Sequence, residues 1–255
     1  MDSPAGGPPA LPPPDYSDRG PGVVACAVVG IVVATLAVLL RFWSRRIASS
    51  LYIWWDDWAI IATLLFSNAF LSVNIYWTTI GLGQHTWMTP LELVPRNTVT
   101  NCVALVLYSS TIWMIKTSAL TFYARIFRLS KTFVKVLWAV GGICTAWWIV
   151  TCIVPWTFCD PIEMNVNPLI PGVCRDSMGW YIGSAFTNAF LDLVILVLPV
   201  PATWRLKMSA RKRVAVLGVF LLGYVSAFLS FARFIIIVRD PSMLEAGPGA
   251  DPSCK

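Results

Sequence analysis

The chain has 255 residues, of which 57% are hydrophobic and 13% charged, with a mean hydropathy of +0.69 and a net charge of +6. A soluble domain carries about a quarter charged residues, so this composition excludes a water-soluble enzyme, a nucleic-acid binder and a disordered chain. Apolar runs of about 20 residues, the length that crosses a hydrocarbon core of about 30 Å, occur six times, and the first partner they imply is a lipid bilayer.

Residues 1–21 hold the runs Pro8-Pro9 and Pro12-Pro13-Pro14 and read as a disordered, Pro/Gly-rich tail. Asp2, Asp15 and Asp18 outweigh Arg19 there, unlike the basic start of a signal peptide. Spans are expected at about 23–40, 58–77, 99–124, 134–155, 178–204 and 214–238, within a membrane domain covering 22–239. Residues 240–255 read as a flexible tail without a seventh span. The expected fold class is all-α, a polytopic transmembrane bundle of six helices.

Lys and Arg set the expected orientation. The first, third and fifth connections carry twelve, among them Arg45, Arg46, Arg125, Lys131 and Lys212; the opposite side carries five. Basic loops stay cytoplasmic, so the N-terminus is expected outside, at the plasma membrane. Trp54, Trp55 and Trp58 then fall at the inner interface, and Trp77, Trp87, Trp156 and Trp180 at the outer one.

Two opposite charges lie deep in the spans, Lys116 on the third and Asp192 on the fifth. An intramembrane charge costs about 2.5–3.5 kcal/mol on insertion scales and seeks a partner, so the two are expected to pair. Such a pair either fixes helix register alone or serves binding and switching. Each charge sits in a polar stripe at helical spacing: Ser109, Lys116 and Tyr123; Tyr181, Ser184, Asn188 and Asp192; Ser226, Ser230 and Arg233. Converging stripes would line a polar cavity for a small molecule. Interhelical hydrogen bonding by small residues, about 0.6 kcal/mol per bond, is the competing reading.

Asp56 and Asp57 precede the second span, where they cap the helix dipole or pair with Arg45, Arg46 or Arg125 in an inner charge cluster. Gly81-Leu82-Gly83-Gln84-His85 closes that span; with no strand before it, the glycines make a turn rather than a phosphate loop. His85 and Glu92 share the outer loop as candidates for ligand binding or pH sensing. Cys159 and Cys174 are expected to form a disulfide there, with Cys102 as rival partner. Cys26, Cys144 and Cys152 read as small hydrophobes. Pro199 and Pro201 should kink or end the fifth span, while Gly30 with Ala34 and Gly142 with Ala146 offer close helix contacts. One histidine and no CxxC spacing give no metal site, and no cofactor is expected.

The ordered set Trp55-Asp56-Asp57-Trp58, Gly81-Leu82-Gly83-Gln84-His85 and the run from Lys116 to Phe127 resembles the fungal rhodopsin-like integral membrane protein family. Cys159-Asp160-Pro161, Cys174, Asn188 with Asp192, Pro199-Val200-Pro201, Lys212, Gly223 and Arg233 extend the match over about 41–240. The family includes receptor-like proteins and a membrane protein of the satratoxin biosynthesis cluster. The resemblance implies a seven-helix-receptor-like bundle, here without the last helix and without the tryptophan usual between the loop cysteines. It does not imply retinal, because the Schiff-base lysine of seven-helix rhodopsins lies in the last helix, whereas the intramembrane lysine here is Lys116.

The expected function is non-enzymatic: a receptor-like membrane protein that senses a small molecule or surface cue and contacts a cytoplasmic signalling partner through its basic loops. An accessory transport or scaffold role in a secondary-metabolite pathway is the alternative. A membrane-embedded cyclase ranks below both, because Lys116 would hold Asp192 ionised.

Overall fold

The computed structural model describes residues 20–47, 55–83, 90–126, 131–175 and 177–200, and within the sixth segment 218, 223–225, 227–232, 234–235 and 239. Of residues 45–47, 55–57 and 125–126 it describes the backbone alone. Among the described residues, five helices are long and apolar enough to cross a membrane: α1 Gly20–Ile47, α2 Trp55–Thr78, α3 Val94–Ile126, α4 Lys131–Ile153 and α5 Met178–Val197. Residues 223–225 and 227–232 of the sixth segment are also helical. Helices dominate because a backbone in hydrocarbon must satisfy its own N–H and C=O groups. The hydroxyls follow the same rule: Thr35, Thr63, Ser110, Thr111 and Thr145 each donate to the carbonyl four residues earlier, at 2.7–2.9 Å.

Helix ends depart from the apolar runs where local chemistry, rather than hydropathy, sets them. Helix α1 begins at Gly20, inside the stretch read as a tail, because Pro21 is pre-set for a first turn. It continues past Leu40 through Arg41 to Ile47, residues that suit a helix in water as well as in lipid. Helix α5 stops at Val197, short of the expected end, and the chain turns at Leu198 and Pro199. Proline has no N–H for the ladder and its ring crowds the preceding turn. After α2, Gly81 (φ 129°) and Gly83 (φ 94°) make the expected turn. The Leu82 N–H donates back to the Trp77 carbonyl at 3.0 Å, closing the helix end around a residue that needs positive φ.

Helix α3 is the hub: it packs against α2, α4 and α5, and α1 packs on α2. A Cβ on Gly30 would stand 3.2 Å from Leu71 Cδ1, so this glycine does let α1 approach α2 closely. Gly142 does not play that part for α4. Nothing lies within 4 Å of its Cβ position, whereas the neighbouring Gly141 faces Leu120 on α3. The expected small-residue contact is one residue out of register, and Gly142 points away from the bundle. Leu120 and Tyr123 of α3, Leu137, Val140 and Cys144 of α4, and Leu191 and Ile195 of α5 form the core. Val32, Leu36 and Leu40 of α1 and Phe186 and Phe190 of α5 face outward, as surfaces against acyl chains do. Trp43 near the end of α1, Trp58 near the start of α2 and Trp138 in α4 are also exposed, at the end of the bundle away from the α4–α5 connection.

That connection is ordered. A 3-10 turn at Val154–Thr157 follows α4, then the two-stranded antiparallel pair β1 (Cys159–Asp160) and β2 (Val173–Cys174) encloses a second 3-10 turn at Ile162–Asn165. Cys159 and Cys174 are register partners and are joined by the expected disulfide. Cys102, the rival, is a buried free thiol at 4.0 Å from the Asn165 carbonyl. The buried Asn165 amide donates to the carbonyls of Trp156 and Ile162, which locks the loop against itself. Gly172 has no room for a side chain: its Cβ would stand 2.6 Å from the Asp160 carbonyl and 2.9 Å from Met164 Sδ. Gly172→Ala is therefore expected to splay β1 from β2 and speed amide exchange over 159–174, while Gly142→Ala leaves exchange unchanged. Equal exchange in both variants would contradict the packing around Gly172.

Candidate functional site

Lys116 stands ten residues before the end of α3, about 15 Å along the helix axis, and it is 3% exposed. Its Nζ donates to Asp192 Oδ1 of α5 at 2.7 Å and to the Asn188 backbone carbonyl at 3.0 Å. The four-residue spacing of Asn188 and Asp192 stacks them on one face of α5, so one ammonium reaches both. Asp192 Oδ2 accepts from the Ser230 hydroxyl of the sixth segment at 2.8 Å. The fourth wall is Trp147 of α4, whose ring centroid lies 5.8 Å from the ammonium, within cation–π range. Four segments of the chain thus meet at one ion pair.

The charges are balanced at this point. Both carboxylate oxygens have donors, and the ammonium has two oxygens and an aromatic face. Two further buried atoms have no hydrogen-bond partner among the described residues, Asn188 Oδ1 and Trp147 Nε1. The neighbouring core is apolar: Leu191 precedes Asp192 on α5, and the fully buried Cys144 lies three residues before Trp147 on α4.

The other expected residues distribute unevenly. Ser109 and Tyr123 are buried seven residues to either side of Lys116, Tyr123 within the apolar core, so neither joins the pair. Tyr181 lies at the far end of α5, with its ring 6.5 Å from Phe158 of the disulfide loop. Its stripe therefore serves two places: Tyr181 supports the loop, while Asn188 and Asp192 serve the pair. Glu92 is exposed in the 3-10 turn Leu91–Leu93 before α3. His85, Ser226 and Arg233 lie outside the described residues, as do the side chains of Asp56, Asp57 and Arg125. Among the described residues no three of His, Cys, Asp and Glu converge as a metal site.

Sequence reasoning missed the tryptophans at mid-span. Trp113 and Trp148 stack at 4.4 Å with their planes 12° apart. Each indole N–H crosses the α3–α4 interface: Trp113 donates to Thr145 Oγ1 at 3.0 Å and Trp148 to Ser110 Oγ at 3.1 Å. Trp77 of α2 likewise donates to Asn97 Oδ1 of α3. The signal was present: indoles favour the membrane interface, so Trp113, Trp147 and Trp148 far from it called for a polar partner.

The family model described as fungal rhodopsin domain matches residues 40–245. The chain is 25% identical over 214 residues to the "Wortmanamides biosynthesis cluster protein C" of Talaromyces wortmannii, covering 82% of this chain and 57% of that protein. It is 27% identical over 218 residues to the "Receptor GIN3" of Arthrobotrys oligospora, covering 84% and 52%. It is also 27% identical over 122 residues to the "Satratoxin biosynthesis SC1 cluster protein 4" of Stachybotrys chartarum, covering 48% and 46%. The chain spans about half the length of these relatives. No solved structure matches it. With the matching model covering most of its length, this helical, multi-pass membrane chain belongs to the fungal rhodopsin domain family.

Proposed function

We propose that the chain is a receptor-like, non-catalytic membrane protein in which the Lys116–Asp192–Ser230 network senses a small molecule. The observation that carries this reading is the pair itself, in which Asp192 ties α3, α5 and the sixth segment together through contacts of 2.7 and 2.8 Å. Moving any one of these segments breaks a charge-assisted bond, so the network has distinct joined and parted arrangements for a ligand to bias. Similarity to a protein named as a receptor supports the same reading. In the proposed arrangement the protein sits in the plasma membrane with its N-terminus outside. The basic connections, Arg125 and Lys131 among them, then face a cytoplasmic signalling partner.

The test is a thermal-shift screen of fungal culture extracts against purified protein in nanodiscs. An extract component that raises the melting temperature of the native chain, and not that of Lys116→Met/Asp192→Leu, is the expected result. Equal shifts for both proteins would remove the pair from the sensing role.

Similarity to two proteins named for biosynthesis clusters favours a second reading, an accessory membrane protein for transport or scaffolding in secondary metabolism. Deleting the gene and finding a pathway product trapped inside the cells would favour it over sensing.

A further inference from the structure

Two buried polar atoms of residues that touch the ion pair lack hydrogen-bond partners among the described residues. The Lys116 ammonium is engaged by Asp192 Oδ1, the Asn188 carbonyl and the Trp147 ring, and Asp192 Oδ2 is engaged by Ser230. A charged ligand would have to break one of these bonds and give up its own hydration as well. What the locus still lacks is neutral: a donor for the Asn188 side-chain oxygen and an acceptor for the Trp147 indole N–H. Both residues abut the same ammonium, and both orphaned atoms are fully covered in the closed bundle. At this depth bulk water does not supply partners, so each atom carries the cost of its lost hydration until something supplies a bond.

We infer that this locus takes an uncharged, largely apolar ligand whose polar end both donates and accepts a hydrogen bond, as a hydroxyl does. The inference rests on the reading of the locus as a small-molecule site and names the class of molecule. A carboxylate answers the indole N–H but not the amide oxygen; an ammonium does the reverse. A hydroxyl or a neutral carboxamide answers both. Trp147 and Asn188 are only half-buried as residues, so the apolar remainder of such a molecule can lie in the surrounding acyl chains.

Three diazirine-tagged probes of equal chain length test this, a long-chain alcohol, a sulfonic acid that stays anionic and only accepts, and a guanidinylated amine that stays cationic and only donates, each used on the full chain in nanodiscs. Labelling is mapped to peptides, and only labelling displaced by excess untagged probe is counted. The alcohol is expected to label the peptides holding Trp147 and Asn188 about tenfold more than the acid or amine, the ratio of one hydrogen bond. Trp147→Phe, which keeps a ring over the ammonium, and Asn188→Leu should each lower alcohol labelling by a similar factor. Equal labelling by the acid or amine, or alcohol labelling unchanged in both variants, overturns the inference while leaving a small-molecule site in place. Failure of all three probes to label those peptides displaceably overturns the small-molecule reading itself, and the inference with it.

Discussion

Asp192→Leu is expected to destabilise the folded bundle by about 3–5 kcal/mol, because it strands a buried Lys116 ammonium without its carboxylate. Asp192 is the carboxylate at 2.7 Å, and the lysine side chain is 4% exposed. Adding Lys116→Met to Asp192→Leu is expected to restore most of that stability, since a buried ion pair replaced on both sides by apolar groups of similar volume is often neutral. Ser230 then loses its acceptor, but a serine in a helix can turn back to a carbonyl one turn earlier, as Ser110 does here. Thermal unfolding of the native chain, both single variants and the double variant in one detergent gives the coupling directly. Single losses that simply add in the double variant would mean that the two residues do not interact. Melting temperature reports stability alone, so the cycle stands apart from any question of ligand.

The disulfide is the second large effect. Cys159→Ser is expected to cost about 3 kcal/mol, the value for a cross-link closing about fifteen residues, and the cysteines here are separated by 15. The loss should be local. Asn165 still binds the Trp156 and Ile162 carbonyls at 2.9 and 3.1 Å without the cross-link, and α3–α5 share a separate core. Amide exchange is therefore expected to accelerate over 159–174 and to stay slow around Leu120, Val140 and Leu191. Acceleration spreading through those core positions would show that the loop is integral to bundle stability rather than an annex to it.

Much of this was legible in the chain because a bilayer simplifies the physics. Long apolar runs place the helices, and a charge in hydrocarbon demands company, so Lys116 and Asp192 pointed to one another without any knowledge of packing. Rotation about each helix axis was less legible. Ser109, Lys116 and Tyr123 share a buried face as their spacing implies, yet only Lys116 meets the polar site, because seven residues carry the other two about 10 Å along the helix axis to either side. Gly142 has the spacing of a contact but points outward, while Gly141 makes the approach; one residue turns the helix by about 100°, and hydropathy in an all-apolar span does not encode that angle. Trp147 escaped for a related reason. Its role depends on α4 lying beside Lys116, and nothing in the sequence of α4 alone specifies its neighbour.

The outward-facing Trp43, Trp58 and Trp138 sit on three different helices toward the same end of the molecule. Indoles resist both full immersion in acyl chains and full withdrawal into water, so together they act as a flotation line. A protein held at one level by three such floats cannot answer a thinner membrane by sinking. It must lean, and leaning changes the angle at which the opposite, disulfide-bearing end meets whatever lies beyond the lipid.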